Sequence, residues 1–369
     1  MYVAVKGGEK AVKNSRTLLK NICRGKKTIP RITNDQIENQ LGLALDRVMA
    51  EGALYDKKAA GAAIKQAQGD ITEAVFLVRA FRTTLKRFGN SLPIHTEKMT
   101  AIRRVSGIFK DIPGGQILGP TYDYTHRLIE FKDDEFEDHY QDNTDSEHGY
   151  DSGSEEFISA MDILYNQGLI KKEQELEMIG ENPEDITRQP LKFPVSRSMR
   201  LQILARGDEG FLLGSAYSLQ RGFGLNRHPF LGELKIGYVD IFHMPRELGF
   251  KICLGRVKIT ECFMVNRFDS TKETPAGFEN GYGLVFGQNE RKAMSIALLD
   301  RSLQNSRNSG KGKYPGQDHE FILAHSDNVE SSGFVQHLKL PHYVDFQSEL
   351  IFIRTQNKKT DNQKKEINQ

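Results

Sequence analysis

His337 and His342, five residues apart in HLKLPH, are by residue type the most site-like pair in the chain. Imidazole nitrogens suit zinc and related divalent metals, but two ligands need a carboxylate, a water, a partner residue or a substrate oxygen to complete the shell. Pro341 excludes a continuous helix between them, so a bend would have to bring the rings together. The alternative is two unrelated surface histidines. A second set lies in DIPGGQILGPTYDYTHR, where Asp111, Tyr122, Asp123, Tyr124, His126 and Arg127 bring carboxylates, phenols, an imidazole and a guanidinium close in sequence. Such groups could serve acid–base chemistry on a sugar or bind its phosphates, or equally form a hydrogen-bonded subunit contact. Arg197, Arg200 and Arg206, beside Asp208 and Glu209, form a third set, with Arg221 opening the Gly-rich RGFGLNRHPF. These arginines fit anions, and helix capping with surface ion pairing is the plainer reading. In GYGLVFGQNERK, glycines 281, 283 and 287 stand between a strand and a helix, where amides could receive a phosphate or the glycines could simply allow close packing.

The elements that must position these groups fall into two textures. Thr33 with Gln36 forms a capping box ahead of Ile37, Leu41, Leu45 and Val48; a second helix follows Asp56, and Asp70 with Glu73 starts a third. In that third helix Ala74, Leu77, Val78, Phe81 and Leu85 make an apolar stripe, with Arg79, Arg82, Lys86 and Arg87 largely opposite. Pro113, Gly114, Gly115 and Pro120 then exclude helix. Further on, an amphipathic helix ends near Gly168, and Ser198 to Gln220 reads as helix interrupted at RGDEG. GYVDIFHM and FKICLGRVKITECFMV form an antiparallel hairpin, GYGLVFG leads into the helix ERKAMSIALLDRSL, and EFILAHSDNVESSG is a helix closed by Gly333. The pattern predicts an α+β fold: a mainly helical region over 1–131 with a Gly/Pro-rich loop, an acidic disordered linker over 132–156, an α+β region over 157–354 and a disordered tail over 355–369.

Composition narrows the classes. The net charge of +2 conceals segregation: residues 1–110 hold 21 Lys and Arg against 9 Asp and Glu, and residues 131–190 hold 4 against 18. A basic end steers anions or an acidic partner, or is a solvated helical surface; without a recognised motif or stacking aromatics, nucleic-acid binding ranks third. Three cysteines cannot supply the usual four thiolates, so no iron–sulfur cluster is expected in this chain. No Cys-x-x-Cys, membrane span or signal-peptide core is visible, and the expectation is a cytoplasmic protein.

Together the strings MYVAVKGGEKA, LALDRVMAEG, DIPGGQILGPTYDYTHRL, RGDEGFLLGSAYSLQRGFG, GYGLVFGQNERKAM, LAHSDNVESSGFV and HLKLPHYVDFQ, spread over about residues 1 to 350, resemble the PhnI subunit family of the carbon–phosphorus lyase core complex. The resemblance implies a subunit that, with companions, exchanges the purine of ATP or GTP for an alkylphosphonate, giving a ribose 1-phosphonate 5-triphosphate, and that has purine nucleosidase activity. It also implies Mg-nucleotide as substrate, a divalent metal, expected to be Zn, at His337 and His342 near the junction with a radical iron–sulfur subunit, an ATP-binding-cassette-type partner, and two copies in the complex. For the chemistry, Asp111, Asp123 and His126 are assigned to the ribose or base and Arg197, Arg200 and Arg221 to the phosphates. The other class of function is a non-catalytic scaffold that contributes two histidines to a shared metal site.

Overall fold

The chain, seen in a computed structural model, is described over residues 8–129, 131, 158–170, 184–221, 228–270, 275–304 and 314–367. It divides into two compact units, one of Ile32–Asn328 and one of Met1–Arg31 with Val329–Gln369. Helix α1 (Glu9–Arg24) belongs to the smaller unit. The larger begins with α2 (Asn34–Gln40), α3 (Gly42–Gly52), α4 (Lys57–Gln66) and α5 (Ile71–Thr83). Their starts are local chemistry: the Thr33 hydroxyl accepts from the Gln36 amide while the Gln36 side chain accepts from the Thr33 amide, and Asp56 and Asp70 accept from the amides of Ala59 and Glu73. The first expected helix kinks at Leu41 ahead of Gly42 and continues as α3, with hydrogen bonds Leu41 N→Ile37 O and Leu45 N→Leu41 O spanning the kink. Leu45, Val48 and Met49 of α3, Ala60 and Ile64 of α4, and Ala74, Val75 and Val78 of α5 are buried.

The four strands described are β1 (Thr100–Val105), β2 (Phe230–His243), β3 (Ile252–Phe268) and β4 (Gly277–Phe286), in the order β1-β2-β3-β4 with every pair antiparallel. Between β1 and β2 the chain makes α6 (Ala160–Asn166), α7 (Arg197–Arg206) and α8 (Glu209–Arg221), and after β4 it makes α9 (Glu290–Gln304) and α10 (His319–His325). Leu204, Leu212, Leu219, Leu234, Cys262, Val285, Ile296, Leu299, Leu303 and Ile322 join helices and sheet in one core. Helix α9 lies so close on β4 that a Cβ at Gly281 would sit 1.9 Å from the Ala297 carbonyl oxygen, and one at Gly283 2.2 Å from that of Ala293. These glycines serve packing; the amides after Gly287 are already taken, that of Gln288 by Asp46 and that of Asn289 by the Thr260 hydroxyl. The fold is α+β, as the pattern predicts.

Several expectations change. The chain does not divide at the acidic stretch: the N-terminal helices pack into the same unit as the sheet, and residues 132–156 lie outside the described residues. Arg79 turns inward, chelating Asp327 at 2.7 Å and donating to the Glu51 carbonyl, while Phe81 and Leu85 of the expected stripe are exposed. The helix expected to close at Gly333 is two helices: α10 stops before Ser326–Asp327, whose groups bind Asp208, Arg79 and Arg206, and α11 (Asn328–His337) runs through Gly333. The expected disordered tail is mostly helix, α12 (Tyr343–Ile367). Its polarity suggests disorder, but it contains neither Gly nor Pro and is rich in Gln and Lys, both good helix formers. Among the described residues no helix is long and apolar enough to cross a membrane.

Candidate active site

A cavity of about 440 Å³ in the larger unit is walled by five separate stretches of chain, one of them contributing only Ile71 at the start of α5. Helix α3 supplies Arg47, the Gly/Pro-rich loop after β1 supplies Tyr122, Asp123 and Arg127, α8 supplies Glu209, and the start of α9 supplies Glu290 and Arg291. Three guanidinium groups therefore face the same space as three carboxylates.

The centre of the arrangement is Arg103, buried on β1. Its Nη2 donates to Asp123 Oδ2 at 2.7 Å and its Nε lies 2.8 Å from Glu290 Oε1, so one edge of the guanidinium holds both carboxylates. Burial raises the Glu290 pKa above the ordinary glutamate value; Arg103 opposes that shift and the Asp123 charge adds to it. Asp123 is half exposed and has a second guanidinium, Arg127, at 3.9 Å. Two carboxylates in unequal surroundings, one favouring its proton, are the usual basis of a division into acid and anion. The loop that carries Asp123 is fixed from below: Arg104 donates to Pro113 O, and Arg104 and Ile117 exchange backbone hydrogen bonds at 2.8 Å.

Behind the cavity wall lies a charged layer. Glu51 Oε1 accepts from Arg47 Nε at 3.0 Å and from the Glu209 amide at 3.1 Å, Arg47 Nη2 reaches Asp208 at 2.9 Å, and Arg291 reaches Glu209 at 2.9 Å. Lys292 is wholly buried in this layer, with Nζ 3.7 Å from Glu51 Oε1.

Of the residues singled out from sequence, Asp123 lines this cavity and Asp111 and His126, both exposed on the same loop, do not. Arg200 is corrected: it is buried and spends its Nε and Nη2 on Asp300 Oδ1 at 2.9 and 2.7 Å, so it is not available to a phosphate. Arg197 opens α7 on the side of Tyr282 rather than lining the cavity, and Arg221 ends α8, about 18 Å along that helix from Glu209. Sequence gives no role to Arg47, Arg103, Glu290 or Arg291, because nothing in their spacing ties them to Asp123.

In the smaller unit α11 ends at His337 and α12 begins at Tyr343, and the intervening bend sets the two imidazole ring centres 5.6 Å apart. The Nδ1 of His337 faces the Phe334 carbonyl and that of His342 faces the Leu340 carbonyl at 2.6 Å. A carbonyl only accepts, so each Nδ1 is the donor, and in a neutral ring that leaves Nε2 as the nitrogen able to bind a metal. Among the described residues no third His, Cys, Asp or Glu joins them. His325, in the other unit, donates from Nδ1 to Phe321 O at 2.9 Å within its own helix.

Comparison with known proteins gives the same answer along almost the whole chain. The family described as "Bacterial phosphonate metabolism protein (PhnI)" matches residues 1–360. The chain is 50% identical over 361 residues to a protein of Rhizobium meliloti (strain 1021) named alpha-D-ribose 1-methylphosphonate 5-triphosphate synthase subunit PhnI, covering 98% of this chain and 96% of that one. It is 51% identical over 356 residues to the protein of the same name in Escherichia coli (strain K12), covering 96% and 98%. With half its residues identical across both full lengths, the chain belongs to the PhnI family of bacterial phosphonate metabolism proteins.

Proposed function

We propose that this chain is the PhnI subunit of an alpha-D-ribose 1-methylphosphonate 5-triphosphate synthase, and that its cavity detaches the purine of ATP or GTP so that an alkylphosphonate takes the vacated ribose carbon. The observation that carries the reading is the carboxylate pair Asp123 and Glu290 on one edge of Arg103, in a cavity that also presents Arg47, Arg127 and Arg291. Breaking the bond between ribose C1′ and the purine nitrogen leaves positive charge on the sugar and an electron pair on the base. Glu290, held toward its protonated form, donates a proton to the departing purine, and the Asp123 carboxylate stabilises the cationic sugar carbon. A phosphonate oxygen then bonds to C1′, or in the nucleosidase reaction water does so and gives up a proton that restores Glu290. The three arginines match a triphosphate in charge and in paired N–H geometry, and the Tyr122 ring at the cavity edge offers a face to the base. The test is chromatographic: the full chain, alone and with its companion subunits, should release free purine from Mg-ATP, and no release above a heat-denatured control in either case would overturn the reading.

A second role rests on the smaller unit. Helices α1 and α11 bury none of their described side chains, and Tyr343, Phe346 and Ile353 form an exposed stripe on α12. Helices with uncovered apolar faces are marginal in water, which supports assembly with companions, among them the radical iron–sulfur and ATP-binding-cassette-type subunits. His337 and His342 would hold the divalent metal through Nε2, with the remaining ligands from a partner, water or substrate. His337→Ala and His342→Ala are each expected to weaken zinc binding by the assembled complex at least about tenfold, read as metal per complex after dialysis, with purine release by the chain retained. Unchanged metal content in both variants would remove the pair from the site.

A further inference from the structure

Lys292 is an unexplained cation. It sits on the first turn of α9, directly after the cavity residues Glu290 and Arg291, with its side chain wholly buried. Its Nζ has no hydrogen-bond partner among the described residues, and the nearest carboxylate oxygen, Glu51 Oε1, is 3.7 Å away, too far for a hydrogen bond. Every carboxylate around it is already partnered. Glu51 and Asp208 are held by Arg47, and Glu209 by Arg291. An ammonium removed from water and given no partner is costly, so the arrangement suits a state other than the empty one.

That state follows from which cations face the cavity. Arg47 and Arg291 line it and Lys292 does not. When phosphates enter, the two guanidinium groups gain competing anions and must loosen from Glu51 and Asp208 behind the cavity and from Glu209 in its wall. Carboxylates left without a cation in a buried layer would pull the arginines back and cancel much of the binding. A short approach of Lys292 to Glu51 supplies the missing charge. We propose that Lys292 is a positioning residue for the polyphosphate of the cavity's ligand, a buried counter-charge that takes over the Glu51 and Glu209 carboxylates and releases Arg47 and Arg291 to the phosphates. This rests on reading the cavity as the nucleoside triphosphate site.

The groups facing Lys292 are Glu51 and Arg47 from α3 and Asp208 and Glu209 at the start of α8. Burial pulls its pKa down from the usual lysine value to about 8, with Glu51 and Glu209 resisting. The counter-charge is therefore present below about pH 8 and lost above it, whereas arginines and the phosphates of ATP keep their charge over that range.

The test uses the full chain and ATP, with binding measured by calorimetry and purine release by chromatography. Lys292→Met is expected to raise the ATP dissociation constant and KM roughly tenfold or more, with kcat within about twofold. Wild-type affinity should weaken as pH rises past about 8, and Lys292→Arg, whose charge does not titrate, should hold affinity level across the same range. A loss of kcat with KM unchanged in Lys292→Met, or affinity equal to wild type at every pH, would overturn the inference. Should Lys292→Met fail to fold, the wild-type titration decides alone, and an affinity that stays level up to about pH 9.5 overturns it. Arg47→Ala and Arg291→Ala separate the two readings: if both bind ATP like wild type, the cavity is not the nucleotide site; if both lose affinity and Lys292→Met does not, only the counter-charge role fails.

Discussion

Glu290→Gln is expected to lower kcat for purine release by about 10²- to 10⁴-fold while changing KM little, the usual range for loss of a positioned general acid. Glutamine keeps the shape and leaves an oxygen facing Arg103, so what is lost is the ionisable proton and its charge rather than the fit of the side chain. The purine leaves with an electron pair on nitrogen, and without a proton donor that charge must develop unneutralised. Asp123→Asn is expected to lower kcat comparably but for the opposite reason, since the cationic sugar carbon loses its nearby anion. The pH dependence separates the two. Glu290 has its pKa raised by burial, with the Asp123 charge adding to the rise, so wild-type kcat should fall as pH rises through that value. The falling limb should vanish in Glu290→Gln. The same shift has a stability sign: the folded chain holds the proton more tightly than the unfolded one, so Glu290 weakens the fold as pH rises from the ordinary glutamate pKa through the raised one. Full purine release by both variants, in a chain that binds ATP normally, would remove this pair from the chemistry.

Replacing Glu233 with Ala is expected to destabilise the larger unit by about 3–5 kcal/mol, read as a lowered midpoint of chemical denaturation. Arg104 and Glu233 are 0% and 1% exposed and meet at 2.7 Å. Glu233 also accepts from the Ser159 hydroxyl at 2.6 Å and the Ala160 amide at 3.1 Å, so it anchors the start of α6. Without it, Arg104 remains as a buried cation and two helix-start donors lose their acceptor. Arg104 in turn binds the carbonyls of Pro113 and Ile158, so the loop carrying Asp123 should loosen and purine release should fall with stability. The control is Arg256 with Asp240, an ion pair of similar length, 2.8 Å, whose side chains are 57% and 42% exposed. Solvent screens it, and its removal should cost no more than about 1 kcal/mol. Equal losses from the two pairs would mean that burial is not what makes Glu233 matter.

What could be read along the chain is what adjacent residues decide. The caps at Thr33, Asp56 and Asp70, the hairpin of β2 and β3, the interruption between α7 and α8 and the break imposed by Pro341 each depend on chemistry within a few residues. So does the family resemblance, which the matches across residues 1–360 bear out. Asp123 was legible because its loop concentrates functional side chains, yet Asp111 and His126, just as conspicuous in the same string, stay outside the cavity.

Which arginine meets which carboxylate was decided only by tertiary structure. Arg103 and Arg104 are neighbours on β1, yet one holds Asp123 and Glu290 at the cavity and the other is sealed against Glu233. Successive strand residues face opposite ways, so their roles depend on what the sheet packs against on each side. Arg200, expected at the phosphates, is closed on Asp300, whereas Arg291, which sequence gives no role, lines the cavity. A guanidinium has the same chemistry in every sequence context. Its function is set by burial and by the partner that reaches it, and here those partners come from distant parts of the chain that only folding brings together.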